Sequence, residues 1–308
     1  VTIYLPIAEL AVNVFLILGI GVTVGFISGM FGVGGGFLMT PLLIFSGIPP
    51  AVAVASQASQ IAASSFSAAL TASKKKLVDF KLGGVLLIGG VVGSLLGVLL
   101  FQALKNSGQL SAFIAISYVV LLGSVGTLML RESLGHYLSR GKSGAPGIRR
   151  AGQHGALARL PLQIRFHRSN LAMSAIPVVA LGFFIGFVGS ILGIGGGFIL
   201  VPAMIYLLRV PTQIVVGTSQ FQMVVTMSAA ALLHAGLTQA VDVILALILM
   251  IGGAVGAQYG AAAGQKIKGE ALRVALALLI IGVAIRFALD LVLEPSERFS
   301  VSIGALLR

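Results

Sequence analysis

Gly25-Phe26-Ile27-Ser28-Gly29-Met30-Phe31-Gly32-Val33-Gly34-Gly35-Gly36-Phe37, followed by Pro41, recurs 161 residues on as Gly186-Phe187-Val188-Gly189-Ser190-Ile191-Leu192-Gly193-Ile194-Gly195-Gly196-Gly197-Phe198, followed by Pro202. The match continues downstream. Pro49, Ser56 and Gln60 meet Pro211, Thr218 and Gln222 at an offset of 162. Asp79, Gly89, Gly90, Gly93 and Gly97 meet Asp242, Gly252, Gly253, Gly256 and Gly260 at 163. The drifting offset reads as single-residue loop insertions between two copies of one unit, a duplication rather than a solenoid array.

The unit is a membrane unit. The chain is 57% hydrophobic and 9% charged with a mean hydropathy of +1.08, where soluble domains carry roughly 25% charged residues. A soluble fold of this size has no means of hiding so much apolar surface. Apolar runs predict spans near 9–28, 52–72, 82–103 and 111–130, then 171–190, 212–233, 241–263 and 271–293. Two shorter apolar runs, 36–46 and 197–208, follow the glycine motifs; as helices each covers about half of a ~30 Å hydrocarbon core, which makes them broken, tilted or re-entrant. Residues 131–170 form a polar linker broken by Gly141, Gly144, Pro146 and Gly147, with eight basic residues against one acid, Glu132. The expected organisation is a first transmembrane repeat over 1–130, a basic cytoplasmic linker over 131–170 and a second repeat over 171–308. The apolar run at 10–27 has no basic residues before it and reads as a first span, not a cleaved signal peptide.

The net charge of +12 does not point to nucleic acid, because the basic residues flank apolar spans instead of clustering on one face. If the short segments cross, each half has five segments and the second half is upside down. That arrangement puts the loop holding Lys74, Lys75, Lys76 and Lys81, the linker, Arg209 and the loop holding Lys266, Lys268 and Arg273 on the inside, 16 of 20 basic residues. If the short segments turn back, the Lys266 loop falls outside. The positive-inside rule therefore predicts an all-α polytopic membrane protein of two inverted five-segment repeats, about ten transmembrane segments, with both termini outside.

Chemistry-bearing residues gather at the repeat. Gly32, Gly34, Gly35 and Gly36, and Gly193, Gly195, Gly196 and Gly197, sit where a long run gives way to a short one. Backbone amides at a half-helix N-terminus suit an anion, although a glycine there also serves a tight bend. Ser56, Gln57 and Gln60, with Thr218, Ser219 and Gln222, put hydroxyls and amides inside apolar helices, either to meet an oxyanion or to bond helix to helix. Asp79 and Asp242 begin equivalent helices, where capping is the simpler role than proton carriage. Arg286 lies deep in the last span with Asp290 four residues on, so substrate attraction and a structural ion pair are both open. His234 closes a span at a loop, where an interfacial histidine is the simpler reading than a pH sensor. The Gly89, Gly90, Gly93, Gly97 series and its copy have the spacing of close helix packing. Without cysteine there is no disulfide, thiolate metal site or persulfide relay, and no catalytic motif, metal-ligand set or cofactor-binding pattern is present, so no enzyme activity is expected.

The doubled GxGGGFxxxP segment, at 32–41 and 193–202, together with Gly217-Thr218-Ser219-Gln220-Phe221-Gln222, resembles the TauE/SafE family of sulfite and organosulfonate permeases. The resemblance spans about 9–130 and 171–293 and excludes the linker. It implies a secondary carrier in a bacterial cytoplasmic (inner) membrane that takes sulfite, sulfoacetate or a related sulfonate, often outward, with the motif glycines and the Thr218, Ser219 pair beside the path. The first half departs from it, reading Ala55-Ser56-Gln57. An anion channel, a carrier of thiosulfate or a carboxylate, and a non-transporting scaffold are the rival readings. The expected partners are a small anion and membrane lipid, with homo-oligomerisation left open.

Overall fold

A computed structural model of the chain describes residues 2–31, 34–138, 162–166, 168–169, 171–208, 210–264 and 269–292. The first half runs β1 (Thr2–Leu5), β2 (Leu10–Asn13), α1 (Val14–Phe31), α2 (Gly36–Phe45), α3 (Pro50–Lys74), α4 (Phe80–Asn106) and α5 (Leu110–Leu138). The second runs β3 (Gln163–Phe166), β4 (Leu171–Ser174), α6 (Ala175–Leu192), α7 (Gly197–Tyr206), α8 (Thr212–Leu233), a π-helical turn (His234–Thr238), α9 (Val243–Gly264) and α10 (Gly269–Val292). Among the described residues six helices are long and apolar enough to cross a membrane: α4, α5, α6, α8, α9 and α10. The polarity is that of a protein in lipid. Leu232, Val243, Ile251 and Val120 are exposed, while Ser56, Gln57, Thr218, Ser219, Gln222 and Thr226 are buried, the reverse of a soluble surface.

The long apolar runs lie where the sequence puts them, with three differences. Residues 10–13 and 171–174 belong to antiparallel hairpins, β1 with β2 and β3 with β4, and not to the spans that follow. Asn13 Oδ1 accepts from Phe15 N at 3.0 Å and Ser174 Oγ from Ile176 N at 3.3 Å, so a capping side chain divides each apolar run into strand and helix. Second, α5 continues to Leu138 and β3 begins at Gln163, both within the stretch read as linker. Third, part of the offset drift is helical. From Gln222 to Asp242 the second half has one residue more than from Gln60 to Asp79, and the π-helical turn at His234–Thr238, one residue wider per turn than an α-helix, lies between them.

The two halves pack by exchange. α1 lies along α9 and α4 along α6, each pair parallel, with glycine at the contact: an added Cβ on Gly25 would stand 2.4 Å from Gly253 O, and on Gly186 2.1 Å from Gly90 O. These contacts are equivalent in the repeat, and they confirm that the four-residue glycine series serve close packing. α3 and α8 run antiparallel, since Gly217 near the start of α8 abuts Ala72 in the last turn of α3 and Leu77 just beyond it. α5 and α10 also run antiparallel, with Tyr118 stacked on Phe287 and Gly126 against Ile280.

The carboxylates of Asp79 and Asp242 fasten this exchange. Asp79 Oδ1 accepts from Lys81 N and Leu82 N, capping α4, and its Oδ2 accepts from Ser169 N and Oγ at the tip of the second hairpin. Asp242 Oδ1 accepts from Ile244 N and Leu245 N, capping α9, and its Oδ2 accepts from Ile7 N at the tip of the first hairpin. Capping is thus their structural role, and each cap also reaches the opposite half.

Candidate functional site

Both glycine motifs end a long helix and start a short one through left-handed backbone. Gly35 (φ 60°) caps α2 and Gly196 (φ 77°) caps α7, while Gly34 (φ 86°), Gly193 (φ 68°) and Gly195 (φ 72°) share the conformation. An L side chain at the two caps would be strained. Gly32 lies outside the described residues. Each short helix has ten residues, about 15 Å, which is half a hydrocarbon core. The two starts meet in the middle of the molecule. A Cβ on Gly36 would sit 2.3 Å from Ile194 O, and the rings of Phe37 and Phe198 stack with centroids 5.0 Å apart. The motifs are therefore brought together, but the gap between them is filled by this aromatic pair, which is buried.

The polar residues singled out in sequence separate into two groups. Gln57 Nε2 donates to Gly36 O at 2.8 Å and its Oε1 accepts from Thr40 Oγ1, which also reaches Gly193 O at 3.4 Å; Gln57 is a strut of the first glycine turn. Ser56 Oγ accepts from Asp242 N at 2.8 Å, and Thr218 Oγ1 from Asp79 N at 3.0 Å, so this pair joins the halves. Ser219 Oγ donates to Val216 O of its own helix.

Gln60 and Gln222 differ. Both are buried, at 4% and 1% exposure, and the carbonyl oxygen of each has no hydrogen-bond partner. They hold equivalent places, and each amide faces an equivalent glycine: a Cβ on Gly253 would fall 2.3 Å from Gln60 Nε2, and on Gly90 2.9 Å from Gln222 Nε2. Buried amides with unused capacity are rare. Arg286 is elsewhere: it is exposed on the outside of α10, bonded to Asp290, with its guanidinium carbon 5.3 Å from the Phe45 ring centroid.

A cavity of about 350 Å³ leads inward to the first motif from the end of the molecule that bears Lys74, Lys75 and Lys76. Gly34 lies in its wall, with Ser28 and Gly29 of α1, Ser64, Ser67 and Thr71 of α3, Gln220 of α8 and Gln258 of α9; Lys75 stands at the mouth. Among the described residues no acidic side chain lines it. Hydroxyls, amides and one ammonium make a wall suited to an anion that keeps part of its hydration. The serines and Thr71 were missed in sequence because hydroxyls scattered through an apolar helix look like interhelical bonding. Thr40 and Tyr118, whose hydroxyl donates to Leu192 O at 2.8 Å beside the second motif, were missed because neither has a polar equivalent in the other half.

A helical membrane protein with paired half-helices and a polar vestibule leading to one of them has the build of a transporter. The chain belongs to the TauE/SafE sulfite exporter family, whose model matches residues 17–287. It is 27% identical over 270 residues to the probable membrane transporter protein YunE of Bacillus subtilis, covering 85% of this chain and 92% of that one. It is 28% identical over 277 residues to a probable membrane transporter protein of Xylella fastidiosa, covering 89% and 94%. A shorter match, 33% over 109 residues and 34% of this chain, is to the sulfite exporter TauE/SafE family protein 5 of Arabidopsis thaliana, of which it covers 22%. No solved structure matches the chain.

Proposed function

We propose that this membrane transporter is a secondary carrier of small sulfur-containing anions, sulfite or a sulfonate such as sulfoacetate, which it exports across a bacterial cytoplasmic membrane. The vestibule carries the proposal: a hydroxyl- and amide-lined cavity, without an acidic side chain among the described residues, with Lys75 at its mouth and the first glycine turn in its wall. In this reading the basic end faces the cytoplasm, as the positive-inside rule requires. The halves act as an inverted pair, and access alternates as one rocks against the other. Gln60 and Gln222, whose buried carbonyl oxygens have no partner in this conformation, accept from a water that the anion carries as it passes. The sulfur class rests on the names of the family and of the Arabidopsis relative. The direction rests on the membrane potential, which drives an anion out of a negative-inside cell by about 2.3 kcal/mol per charge per 100 mV.

A panel of anions added to purified protein tests the substrate. At 100 times its dissociation constant a true ligand adds about 2.7 kcal/mol of stability. Sulfite and sulfoacetate are expected to raise the melting temperature, and chloride and acetate to leave it unchanged. Stabilisation by thiosulfate or a carboxylate alone rejects the sulfite and sulfonate assignment. Counterflow of labelled sulfite in proteoliposomes tests the carrier mechanism, because a channel gives none.

A further inference from the structure

The repeat gives each residue of the open vestibule a counterpart at the opposite end. Gly29, Gly34, Ser64 and Ala72 line the cavity; their counterparts are Ser190, Gly195, Thr226 and His234. Ser190, Thr226 and His234 are exposed by 1%, 0% and 0%, so the same places that form an opening at the basic end form a solid seal at the other. His234 is its centre. Its Nε2 lies 2.9 Å from Ser190 O on α6, its Nδ1 3.3 Å from Thr238 Oγ1 in the π-helical turn, and its ring meets Phe101 of α4 edge-on at 4.7 Å. Lys105, one helical turn beyond Phe101, donates from Nζ to Thr238 O at 2.6 Å. Three helices are tied at one imidazole, and the first half has a methyl group there.

We infer that a second anion vestibule exists behind this seal, lined by Ser190, Gly195 and Thr226, and that His234 is the latch that keeps it shut while the first stands open. The inference rests on the alternating-access reading above. The same scaffold already holds the open arrangement at one end, so the closed end needs no new fold to open. It needs the imidazole to leave Ser190 O and Thr238. The vestibule it uncovers offers the hydroxyls of Ser190 and Thr226 and the Gly195 backbone to the same class of oxyanion, in a wall that is otherwise less polar, with Ala229, Leu233 and Leu237 at the places of Ser67, Thr71 and Lys75. A histidine here and alanine there make the latch one-sided, so the resting protein favours the conformation open at the basic end.

The chain has no cysteine, so single cysteines report access directly. Ser64→Cys and Thr226→Cys, in membranes of known orientation, are treated with a membrane-impermeant maleimide from each face. Ser64→Cys is expected to react from the basic face and Thr226→Cys from neither. Adding His234→Ala should speed labelling of Thr226→Cys from the face opposite the lysines by about tenfold, the response to losing roughly one or two buried hydrogen bonds from a two-state balance. Lys105→Met, which frees only Thr238, should give a rise of about threefold and stands in if the histidine variant does not fold. Unchanged protection in a folded variant, or exposure from the basic face instead, overturns the latch. Labelling needs no substrate, so failure of every anion to be carried would reject the proposed function while leaving this result standing.

Discussion

Ala72 and His234 hold the same place in the two halves, yet one lines a cavity and the other is packed among Ser190, Thr238 and Phe101. The helices around them are arranged alike. α1 meets α9 as α6 meets α4, and Asp79 N donates to the Thr218 hydroxyl as Asp242 N donates to that of Ser56. The opening is therefore not a property of the scaffold. On the alternating-access reading proposed above, a scaffold duplicated this closely can take an open and a shut form at each end, and a few side chains decide which end has which. Three pairs of substitutions, in order of expected effect, probe the shared scaffold, its local differences and the open mouth.

The largest effect belongs to the carboxylates that both halves use. Asp79 accepts four hydrogen bonds and Asp242 three. Each bond to a charged acceptor is worth ~1.5–3 kcal/mol before neighbouring groups relax, so Asp79→Ala should cost about 3 kcal/mol and Asp242→Ala about 2. Unfolding in detergent measures both. If Asp242→Ala costs the more, the second hairpin is not held through Asp79 in the way the bonds indicate, and the likeness of the halves fails at its strongest point.

The glycine turns come next, and here the halves differ. Gln57 ties Thr40 to Gly36 O in the first turn, whereas its counterpart Ser219 bonds only to Val216 O on its own helix. Gln57→Leu takes from the buried Thr40 hydroxyl its better acceptor, leaving Gly193 O at 3.4 Å, and removes a donor from Gly36 O, and should cost about 2 kcal/mol; Ser219→Ala should cost under about 0.5. Anion selectivity is expected to survive in both, since neither side chain lines the vestibule. A change of selectivity in a stable Gln57→Leu protein would return that residue to the binding site.

Sequence disclosed the fold more fully than the site, for a physical reason. Apolar runs must be long to bridge lipid, and the doubled glycine motif is unmistakable, so the spans and the half-helices could be placed within a few residues. The caps at Asn13 and Ser174 were legible in principle, but the apolar residues before them masked the strands. The polar clusters were found without their roles. Ser56, Gln57 and Thr218 look like ligands in sequence because a buried hydroxyl or amide in an apolar helix must bond something. Only coordinates show that the something is Asp242 N, Gly36 O or Asp79 N. Arg286 and Asp290 illustrate the other limit: their spacing allowed a pair, but which way α10 faces depends on packing against α5.

The smallest effect tests the mouth. Lys75 is exposed at the rim of the vestibule, with Lys74 and Lys76 beside it, so its charge acts on an arriving anion through water more than through contact. Lys75→Gln should lower flux at subsaturating substrate by about threefold at low ionic strength, with maximal flux unchanged, and the difference should fade as salt shortens the screening length towards ~3 Å at 1 M. Arg286→Gln also removes one positive charge, but from the outer face of α10, where the guanidinium is already paired with Asp290. Its flux should match the parent at every salt concentration. A loss in Arg286→Gln equal to that in Lys75→Gln would mean that total charge, and not charge at the mouth, draws the anion in. The vestibule would then have no claim to be the way into the protein.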